Sequence, residues 1–322
     1  MDPTPKPVAP PATGLRRDWG ELPADTRAAT EALLGAEVVT ATTQNGGFSP
    51  GIAVRVRLAD GRRAFVKAIG RDPNPHSPHL HLAEARNAAA LPGSAPAPRL
   101  LGWFDDGAWV VLAFEDVDGR MPEVPWREGE LRRLLDALTD LAADLTPAPF
   151  PAARVEERAG PMFEGWRRLL EAGGDDRLDP WAARHLPALA ELAAAWPAHL
   201  HGETLAHGDI RADNVLLTPD RVVFVDWPHA MRTTPWFDLL VALPCIAAQG
   251  GPDPEETFTT HPLGRAADPA AVTCVLAALT GYFVCSGLQP DPPGLPTLRP
   301  FQRAQGAAAL AWLRRRSGPL LR

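Results

Sequence analysis

Three polar residues lie at a characteristic spacing in one stretch of the chain. Asp209 stands within the run HGDIRADN, Asn214 ends that run, and Asp226 closes the apolar run VVFVD twelve residues later. Phosphoryl transfer from ATP needs such a set. One carboxylate orients the attacking hydroxyl, while an amide oxygen and a second carboxylate hold Mg²⁺ on the phosphates. A lone His-x-Asp would carry little information, but the ordered set predicts phosphoryl transfer.

Each residue of this stretch has a predicted role. Asp209 would orient the acceptor hydroxyl and take its proton. Positioning and electrostatic stabilisation carry most of the catalysis, because an ordinary carboxylate is a weak base at neutral pH. Arg211 could reach the transferring phosphate. Asn214 and Asp226 would supply oxygen ligands for Mg²⁺, which takes few protein ligands besides phosphates and waters. His207 is expected to hold the loop together rather than to act in catalysis.

A lysine and a glutamate upstream are candidates for the nucleotide phosphates. Lys67 lies within the apolar run AFVKA, where a charge costs free energy unless it is paired or bound to phosphate. Glu84, on a helix-like segment seventeen residues later, could pair with the ammonium and aim it at the phosphates. The alternative is an exposed lysine on a strand face and an unremarkable helix carboxylate.

Two further segments are predicted to contact the nucleotide. The loop NGGFSPG over residues 45–51 could bring backbone N–H groups of Gly46, Gly47 and Phe48 to phosphate oxygens, with Ser49 as a side-chain donor. It contains neither GxGxxG nor a Walker pattern, so an ordinary hairpin is the alternative. The run FEDV ends a strand, and adenine would bond there to the Glu115 carbonyl and the Val117 amide.

The elements that must position these residues divide the chain into two lobes. Residues 20–115 are predicted to form a small antiparallel nucleotide-binding lobe, and residues 116–322 a larger, mainly helical lobe with the catalytic loop and the acceptor site. The fold class is therefore α+β. Residues 1–19, which begin with a proline-rich stretch, are predicted to be a disordered tail.

Hydrophobic periodicity and turn residues give the individual elements. The predicted strands are Val38–Thr43, Ile52–Leu58, Arg63–Ile69, Arg99–Phe104 and Trp109–Phe114, with a short β pair around the HGDIRADN run. The predicted helices are Asp25–Leu34, Leu80–Leu91, Arg127–Leu145, Met162–Ala172, Trp181–Trp196, Pro235–Ala248, Ala267–Cys285 and Phe301–Arg315.

Composition excludes several classes of protein. A formal net charge of -7 over 322 residues argues against a nucleic-acid-binding protein, which would usually carry a basic face. Cys245, Cys274 and Cys285 lack metal-binding spacing and are predicted to be reduced core residues. The charge-free segment Ala270–Pro290 approaches the length of a membrane span, but a buried helix explains it better. Without a visible secretion signal, the predicted compartment is the cytoplasm.

Together these residues resemble the aminoglycoside phosphotransferase family, the small-molecule branch of the protein-kinase-like fold. The resemblance covers about residues 20–315 and rests on the Lys67 strand, Glu84, the HGDIRADN loop, VDW at Asp226, and Asp238 in PWFDLL. It implies a two-lobed kinase-like fold, ATP or GTP as donor, Mg²⁺, and transfer of the γ-phosphate to a hydroxyl. It also implies that Asp238 lies on a helix beneath the catalytic loop and braces it.

The short segment after Asp226 favours a small-molecule acceptor. Only twelve residues separate Asp226 from Asp238 and no APE follows, whereas a protein kinase needs a longer activation segment to present a peptide. The expected acceptor is an antibiotic resembling an aminoglycoside or macrolide, or a metabolite. No nucleic acid or membrane is expected as a partner, and the protein is expected to be a monomer or a homodimer. The alternative is a nucleotide-binding regulator that has lost catalysis, although Lys67, Asp209 and Asn214 are all present.

The acceptor cleft is the least determined part of the sequence. Trp227, His229 and Trp236 lie near the motif and could shape it. An acidic loop with Asp253, Glu255 and Glu256 could meet an amino sugar, although loop carboxylates are more often solvated. Asp213 is interpreted as a solvated loop carboxylate as well.

Overall fold

Alternating apolar side chains build the sheet of the N-terminal lobe in the computed structural model, which describes residues 9–48, 50–71 and 77–318. Five antiparallel strands pair in the order β1-β2-β3-β5-β4. They are β1 (Val38–Thr43), β2 (Ile52–Leu58), β3 (Arg63–Gly70), β4 (Leu100–Asp105) and β5 (Trp109–Glu115). Alternate side chains of a strand share a face. Ala64, Val66 and Ala68 of β3 are accordingly buried on one face, and Lys67 belongs to the other.

Two helices cover opposite faces of this sheet. Helix α1 (Ala24–Leu34) packs on the face of Val66, and helix α2 (Ser77–Ala90) packs on the face of Leu112. α1 ends at Gly35, whose φ of 76° is the left-handed conformation that glycine adopts without steric cost. The strand and helix predictions for this lobe are confirmed to within three residues at each boundary.

The C-terminal lobe packs helices around one apolar helix. Its larger helices are α3 (Glu128–Asp144), α7 (Leu186–Ala194), α8 (Phe237–Ala248), α11 (Pro269–Gly287) and α12 (Leu298–Ser317). In the described chain, α11 alone has the length and composition that could cross a membrane, but 72% of its 18-residue apolar window is buried. This burial agrees with the interpretation of the segment as a core helix. The predicted α+β, two-lobed, kinase-like fold is confirmed.

Smaller helices correct two predicted continuous ones. They are α4 (Val155–Phe163), α5 (Gly165–Glu171), α6 (Pro180–Arg184), α9 (Pro254–Thr260) and α10 (Pro262–Arg265). The predicted helix Met162–Ala172 is divided between α4 and α5, where Gly165 crosses Gly281 of α11 so closely that a side chain would not fit. The predicted helix Trp181–Trp196 is divided between α6 and α7, because proline at position 187 lacks the N–H needed to continue the first helix.

The predicted acidic loop is wrong. Asp253 caps the N-terminus of α9 by accepting hydrogen bonds from the backbone N–H groups of Glu255 and Glu256, at 3.0 and 3.1 Å. Asp253 also pairs with Arg315, and Glu255 pairs with Arg316, both on α12. These carboxylates therefore hold α9 against α12.

Two short antiparallel ribbons frame the central motif. β6 (Thr204–Ala206) pairs with β9 (Met231–Thr233), and β7 (Val215–Leu217) pairs with β8 (Val222–Phe224). The sequence predicted only the second ribbon. The motif segments lie between these strands, since the HGDIRADN run connects β6 to β7 and Asp226 lies between β8 and β9. The ribbons thus bring the two segments side by side.

The N-terminal strap, residues 9–17, connects the lobes. The predicted disordered tail spanned residues 1–19, of which 1–8 lie outside the described residues. Residues 9–17 instead make ordered backbone contacts: the N–H of Ala9 donates to Ala248 O at 2.7 Å, and that of Leu15 to Gly294 O at 3.0 Å. On the other side, Gly51 in the N-terminal lobe exchanges backbone hydrogen bonds with Leu15 and Arg17.

Candidate active site

A buried carboxylate holds the HGDIRADN loop. Asp238, in the first turn of α8, accepts hydrogen bonds from the backbone N–H groups of His207 and Gly208, each at 2.8 Å. Gly208 has a φ of 82°, which L side chains rarely adopt. Burial raises the pKa of Asp238, and the neighbouring His207 and the two N–H groups oppose that shift. The loop backbone is therefore fixed by two bonds to one carboxylate.

His207 joins the catalytic loop to the Asp226 segment. Its ring is buried and packs edge-on against Trp227, with ring centroids 4.7 Å apart. The backbone N–H of Asp209 donates to its Nδ1 at 3.2 Å, and Nε2 lies 2.9 Å from the Val225 carbonyl oxygen. With Nδ1 accepting, the proton resides on Nε2 and is donated to Val225. The side chain thus connects the two segments that carry the candidate catalytic and metal-binding residues.

Arg211 clamps two carboxylates. Its guanidinium donates to both side-chain oxygens of Asp209, at 2.6 and 2.5 Å, and to both of Asp213, at 3.0 and 2.9 Å. Asp213 was interpreted as solvated, but it is 8% exposed and belongs to this cluster. Burial alone would lower the pKa of Arg211, yet Asp209 and Asp213 raise it well above its ordinary value. Arg211 therefore stays charged, and in this structure it is directed at Asp209.

Asn214 and Asp226 offer two oxygen donors close together. Asn214 donates through Nδ2 to the Asp209 carbonyl oxygen at 2.8 Å and to Asp209 Oδ2 at 3.2 Å, so its side-chain oxygen is left to accept or ligate. Asp226 has a φ of 69°, the only non-glycine residue with positive φ in the described chain. Such a conformation costs on the order of 1–3 kcal/mol and persists where the surroundings impose it, often at functional sites.

This donor set fits Mg²⁺. No group of three or more His, Cys, Asp or Glu side chains is placed to hold a metal within the residues described. One carboxylate and one amide oxygen are what Mg²⁺ usually takes from a protein when phosphates and waters complete its octahedron. Asn214 and Asp226 would thus hold the ion only together with a nucleotide.

Lys67 bridges the two lobes. Its Nζ lies 2.7 Å from Oε1 of Glu84 and 3.0 Å from Oδ1 of Asp226. Burial would lower the pKa of Lys67, but Asp226 and Glu84 outweigh it and raise the pKa. Burial also raises the pKa of Glu84 against the effect of Lys67, while Lys67 and Arg211 hold the pKa of Asp226 below its usual range despite burial. The ammonium is therefore charged and lies between the N-terminal lobe and the candidate metal-binding carboxylate of Asp226.

A cavity of about 150 Å³ lies between the lobes and is called here the nucleotide cavity, because most residues predicted to bind nucleotide line it. It is lined by Gly46, Gly47, Phe48, Lys67, Glu84, Glu115, Val117, Asn214 and Asp226. At the lobe junction Val117 O accepts a hydrogen bond from Arg55 Nη2 at 3.0 Å, and Arg55 also pairs with Asp116. Ser49 lies outside the described residues. The predicted phosphate and adenine contacts therefore face one cavity.

The same cavity contains a cation that the sequence did not indicate. Arg16, in the N-terminal strap, lines it and donates through Nη2 to Gly46 O. Burial lowers the pKa of this guanidinium, and the nearby carboxylates of Asp226 and Asp213 oppose the shift. No local motif marks Arg16, because only the return of the strap across the cavity brings it there.

A second cavity, of about 350 Å³, lies on the other side of Asp226 and is called here the acceptor cavity. Asp209 and Arg211 line it, together with side chains from α4, α8, α11 and α12. Of the three residues expected to shape the acceptor cleft, His229 lines this cavity. Trp227 lines the nucleotide cavity instead, and Trp236 packs against Phe258, with centroids 6.4 Å apart.

Comparisons with known proteins agree with this architecture. A model of the phosphotransferase enzyme family matches residues 44–272. No curated protein matches the chain.

Solved structures share the fold at low sequence identity. Choline kinase LicA from Streptococcus pneumoniae is 13% identical, with a TM-score of 0.56 over 89% of this chain and 98% of that one. A macrolide 2'-phosphotransferase type I is 16% identical, with a TM-score of 0.54 over 91% and 98%. The amicoumacin kinase hAmiN, in complex with AMP-PNP and Ca²⁺, is 13% identical, with a TM-score of 0.54 over 90% and 94%. At these identities the likeness shows the fold alone.

Proposed function

The chain belongs to the phosphotransferase enzyme family, and we propose on that premise that it transfers the γ-phosphate of Mg²⁺-ATP to a hydroxyl of a small molecule. The observation that carries the proposal is the contact of Lys67 with Asp226, which joins the nucleotide cavity to the segment next to Asp209. A donor phosphate bound at Lys67 would lie between the two cavities. The acceptor would enter from the side of Asp209.

Asp209 is proposed to orient the acceptor. Its carboxylate would accept a hydrogen bond from the hydroxyl, hold the oxygen in line with the γ-phosphate, and receive the proton as the new P–O bond forms. Arg211 orients this carboxylate through hydrogen bonds to both of its oxygens, and would offset charge on the transferring phosphate. Asp238 and His207 act as positioning residues, because they hold the backbone from which Asp209 projects.

The nucleotide-binding roles follow the contacts in the first cavity. Lys67 would bind donor phosphates while Glu84 keeps its ammonium in place. Backbone N–H groups of Gly46, Gly47 and Phe48, with Ser49, would lie over the phosphates. Mg²⁺, when bound by Asn214 and Asp226, neutralises charge on the phosphates. Adenine would be placed at the lobe junction by the Glu115 carbonyl and the Val117 amide.

The remaining features of the proposal concern location and partners. We assign nucleotide binding to residues 20–115 and the catalytic loop and acceptor site to residues 116–322. ATP or GTP is proposed as the donor, and the cytoplasm as the compartment. The partner is a small-molecule alcohol rather than nucleic acid or membrane, and the enzyme would act as a monomer or homodimer.

Substitution of Asp209 tests the proposal. Asp209→Asn should lower ADP release by about 10²-fold or more while ATP still binds, because the amide cannot take the proton. ADP release in the presence of an acceptor panel and ATP affinity by calorimetry would be measured together. Asp140→Asn, an exposed carboxylate on α3, is the matched control and should keep full turnover.

Two results would contradict this assignment. Full turnover by Asp209→Asn would remove the catalytic role. ATP binding by the wild-type protein without phosphate transfer to any acceptor would favour the alternative, a nucleotide-binding regulator of the same fold.

A further inference from the structure

The acceptor cavity has apolar walls. Side chains from α2, α4, α11 and α12 enclose the space beside Asp209: Leu80, Met162, Phe163, Leu279, Phe283 and Phe301. Its volume of about 350 Å³ falls within the range of roughly 300–1,000 Å³ that is typical of small-molecule sites. A ligand that fills it would bury mostly carbon against carbon, which favours an apolar body.

Every carboxylate that lines this cavity already has a cation. Among its described lining residues the acidic side chains are Glu84, Asp209 and Asp226. Glu84 and Asp226 pair with Lys67, and Asp209 pairs with Arg211. An ammonium group on an acceptor would therefore find no unpaired carboxylate among the described lining residues. Transfer of an unpaired charge from water into such a cavity is strongly unfavourable.

The remaining charged side chain of the wall is positive. Arg158 of α4 lines the cavity and donates to the Pro228 carbonyl oxygen. Burial, together with the nearby charge of Arg86, lowers the pKa of Arg158. A guanidinium nevertheless carries its positive charge at neutral pH, so a further cation would meet repulsion there. Burial also lowers the pKa of His229, which keeps that ring neutral near pH 7. Tyr282 and Gln302, which hydrogen-bond to each other at 3.3 Å, add neutral polar groups.

From this wall we infer that the acceptor is an alcohol with an apolar body and no positive charge. The inference rests on the proposed phosphotransfer and adds the chemical class of its acceptor. It excludes polycationic aminoglycosides and small quaternary amines from the cavity. An apolar alcohol would place its body against α4 and α11 and its hydroxyl at Asp209.

A pair of probes with one apolar body tests the charge requirement. We expect 4-phenylbutan-1-ol to bind the Mg²⁺-ADP complex at least about 5-fold more tightly than 4-phenylbutylamine, because the amine adds an ammonium without a partner. Kanamycin should show no saturable binding. Calorimetry on the full chain gives the three affinities. An amine affinity equal to that of the alcohol, saturable kanamycin binding, or absent alcohol binding would each overturn the inference.

A carboxylate placed in the wall shows whether the probes bind there. Met162→Glu should strengthen amine binding by about 5-fold, the effect of one ion pair, and so narrow or remove the preference for the alcohol. Leu170→Glu, on the exposed face of α5 outside the cavity, should leave both affinities unchanged. Equal effects of the two substitutions would contradict binding in this cavity. Because binding requires no turnover, this test can fail while the Asp209 experiment succeeds, and the reverse also holds.

The N-terminal strap carries a second, independent inference. Thr13 and Thr297 of the helical lobe are joined by hydrogen bonds between their hydroxyl groups, at 3.0 Å, and from Thr297 to the Thr13 carbonyl, at 3.1 Å. The next residues of the strap pair with Gly51 at the end of the glycine-rich loop. The strap thus crosses the phosphate end of the nucleotide cavity, anchored on both lobes.

The guanidinium of Arg16 lies at this phosphate end. A Cβ added to Gly47 would be 3.2 Å from Arg16 Nη2. Within the described lining of the nucleotide cavity, the cations besides Arg16 are Lys67 and Arg55, and Arg55 lies at the lobe junction. We propose that Arg16 binds the donor phosphates together with Lys67. A guanidinium can contact two phosphate oxygens at once, which an ammonium cannot do with the same geometry.

Removal of the guanidinium should affect phosphates and spare the base. Arg16→Ala is expected to weaken ATP binding by about 10-fold or more, because hydrogen bonds to charged groups are lost. Adenosine affinity should not change, and Arg16→Lys should restore part of the ATP affinity. The control is Arg17→Ala, whose side chain lies over the Trp109 ring outside the cavity. Unchanged ATP affinity, or an equal loss for adenosine, would overturn the proposal.

Discussion

The nucleotide cavity and the acceptor cavity share Phe48, His81, Glu84 and Asp226, yet they are built in different ways. The nucleotide cavity holds an ion-pair network, in which Lys67 contacts Glu84 at 2.7 Å and Asp226 at 3.0 Å. The acceptor cavity has apolar walls that come from helices distant in sequence. The difference shows how the chain separates its tasks. On the proposed function, the charged cluster (Lys67, Glu84, Asp209 and Asp226) would carry out the reaction, and the apolar wall would select the alcohol.

The largest effect is expected where the charged cluster is broken. Lys67→Ala removes the cation between Glu84 and Asp226, and kcat should fall by about 10²–10³-fold, as on loss of a preorganised electrostatic contact. Arg57→Ala, exposed on the adjacent strand, is the control. Steady-state kinetics and thermal unfolding would be compared. If Lys67→Ala lowered the thermal stability without lowering kcat, the contacts of Lys67 with Glu84 and Asp226 would have a structural role only.

The brace beneath Asp209 distinguishes stability from catalysis. Each carboxylate oxygen of Asp238 accepts one backbone N–H bond, and Asp238→Asn replaces one of these oxygens by an NH₂ group. The free energy of unfolding should therefore fall by about 1–3 kcal/mol. Turnover should also fall, because the loop would move Asp209. The control is Asp268→Asn, since Asp268 likewise accepts two backbone N–H bonds, from Ala270 and Ala271, at the start of α11. Urea unfolding should show losses in both variants, and kcat a loss only for Asp238→Asn.

The boundary between the cavities predicts a pH dependence. Burial, then the charge of Lys67, lowers the pKa of His81 from its ordinary value of 6.5 to about 4, although Asp226 opposes the shift. The unfolded chain binds this proton more tightly than the folded protein does. The free energy of unfolding therefore has its full value above pH 6.5 and decreases as the pH falls toward 4. The loss should approach about 3 kcal/mol.

Replacement of His81 sharpens this prediction. His81→Gln should reduce the change in unfolding free energy with pH between pH 4 and 6.5. His79→Gln, at an exposed position on the same helix, should leave that pH dependence unchanged. Urea unfolding at several pH values measures both. An unchanged slope in His81→Gln would place the titration elsewhere.

The smallest effect concerns the acidic helix α9, whose carboxylates the sequence offered as a possible contact for an amino sugar. Glu255→Gln should cost at most about 1 kcal/mol, since it weakens a partly exposed pair with Arg316. Acceptor KM should not change, because α9 faces α12. Glu256→Gln, exposed on the same helix, provides the comparison. A raised acceptor KM in Glu255→Gln alone would return these carboxylates to the acceptor site.

Residues of the charged cluster were predictable because each is marked locally. Lys67 interrupts an apolar strand, and Asp209, Asn214 and Asp226 keep their spacing within one pair of ribbons. Local periodicity and turn residues likewise placed the five-stranded sheet and most of the helices. Arg16 and the wall of the acceptor cavity carried no such mark. An arginine that follows a proline-rich segment and a leucine in a helix do not differ from their neighbours in sequence.

The sequence by itself determined the two-lobed fold, the charged cluster and the class of reaction, because those depend on short-range patterns and fixed spacings. Only the tertiary structure decided that the strap brings Arg16 over the nucleotide cavity, and that α4, α11 and α12 enclose an apolar space. Those arrangements join segments up to about 280 residues apart, as Thr13 and Thr297 do. Their contacts arise from packing of complete elements, which no local pattern encodes.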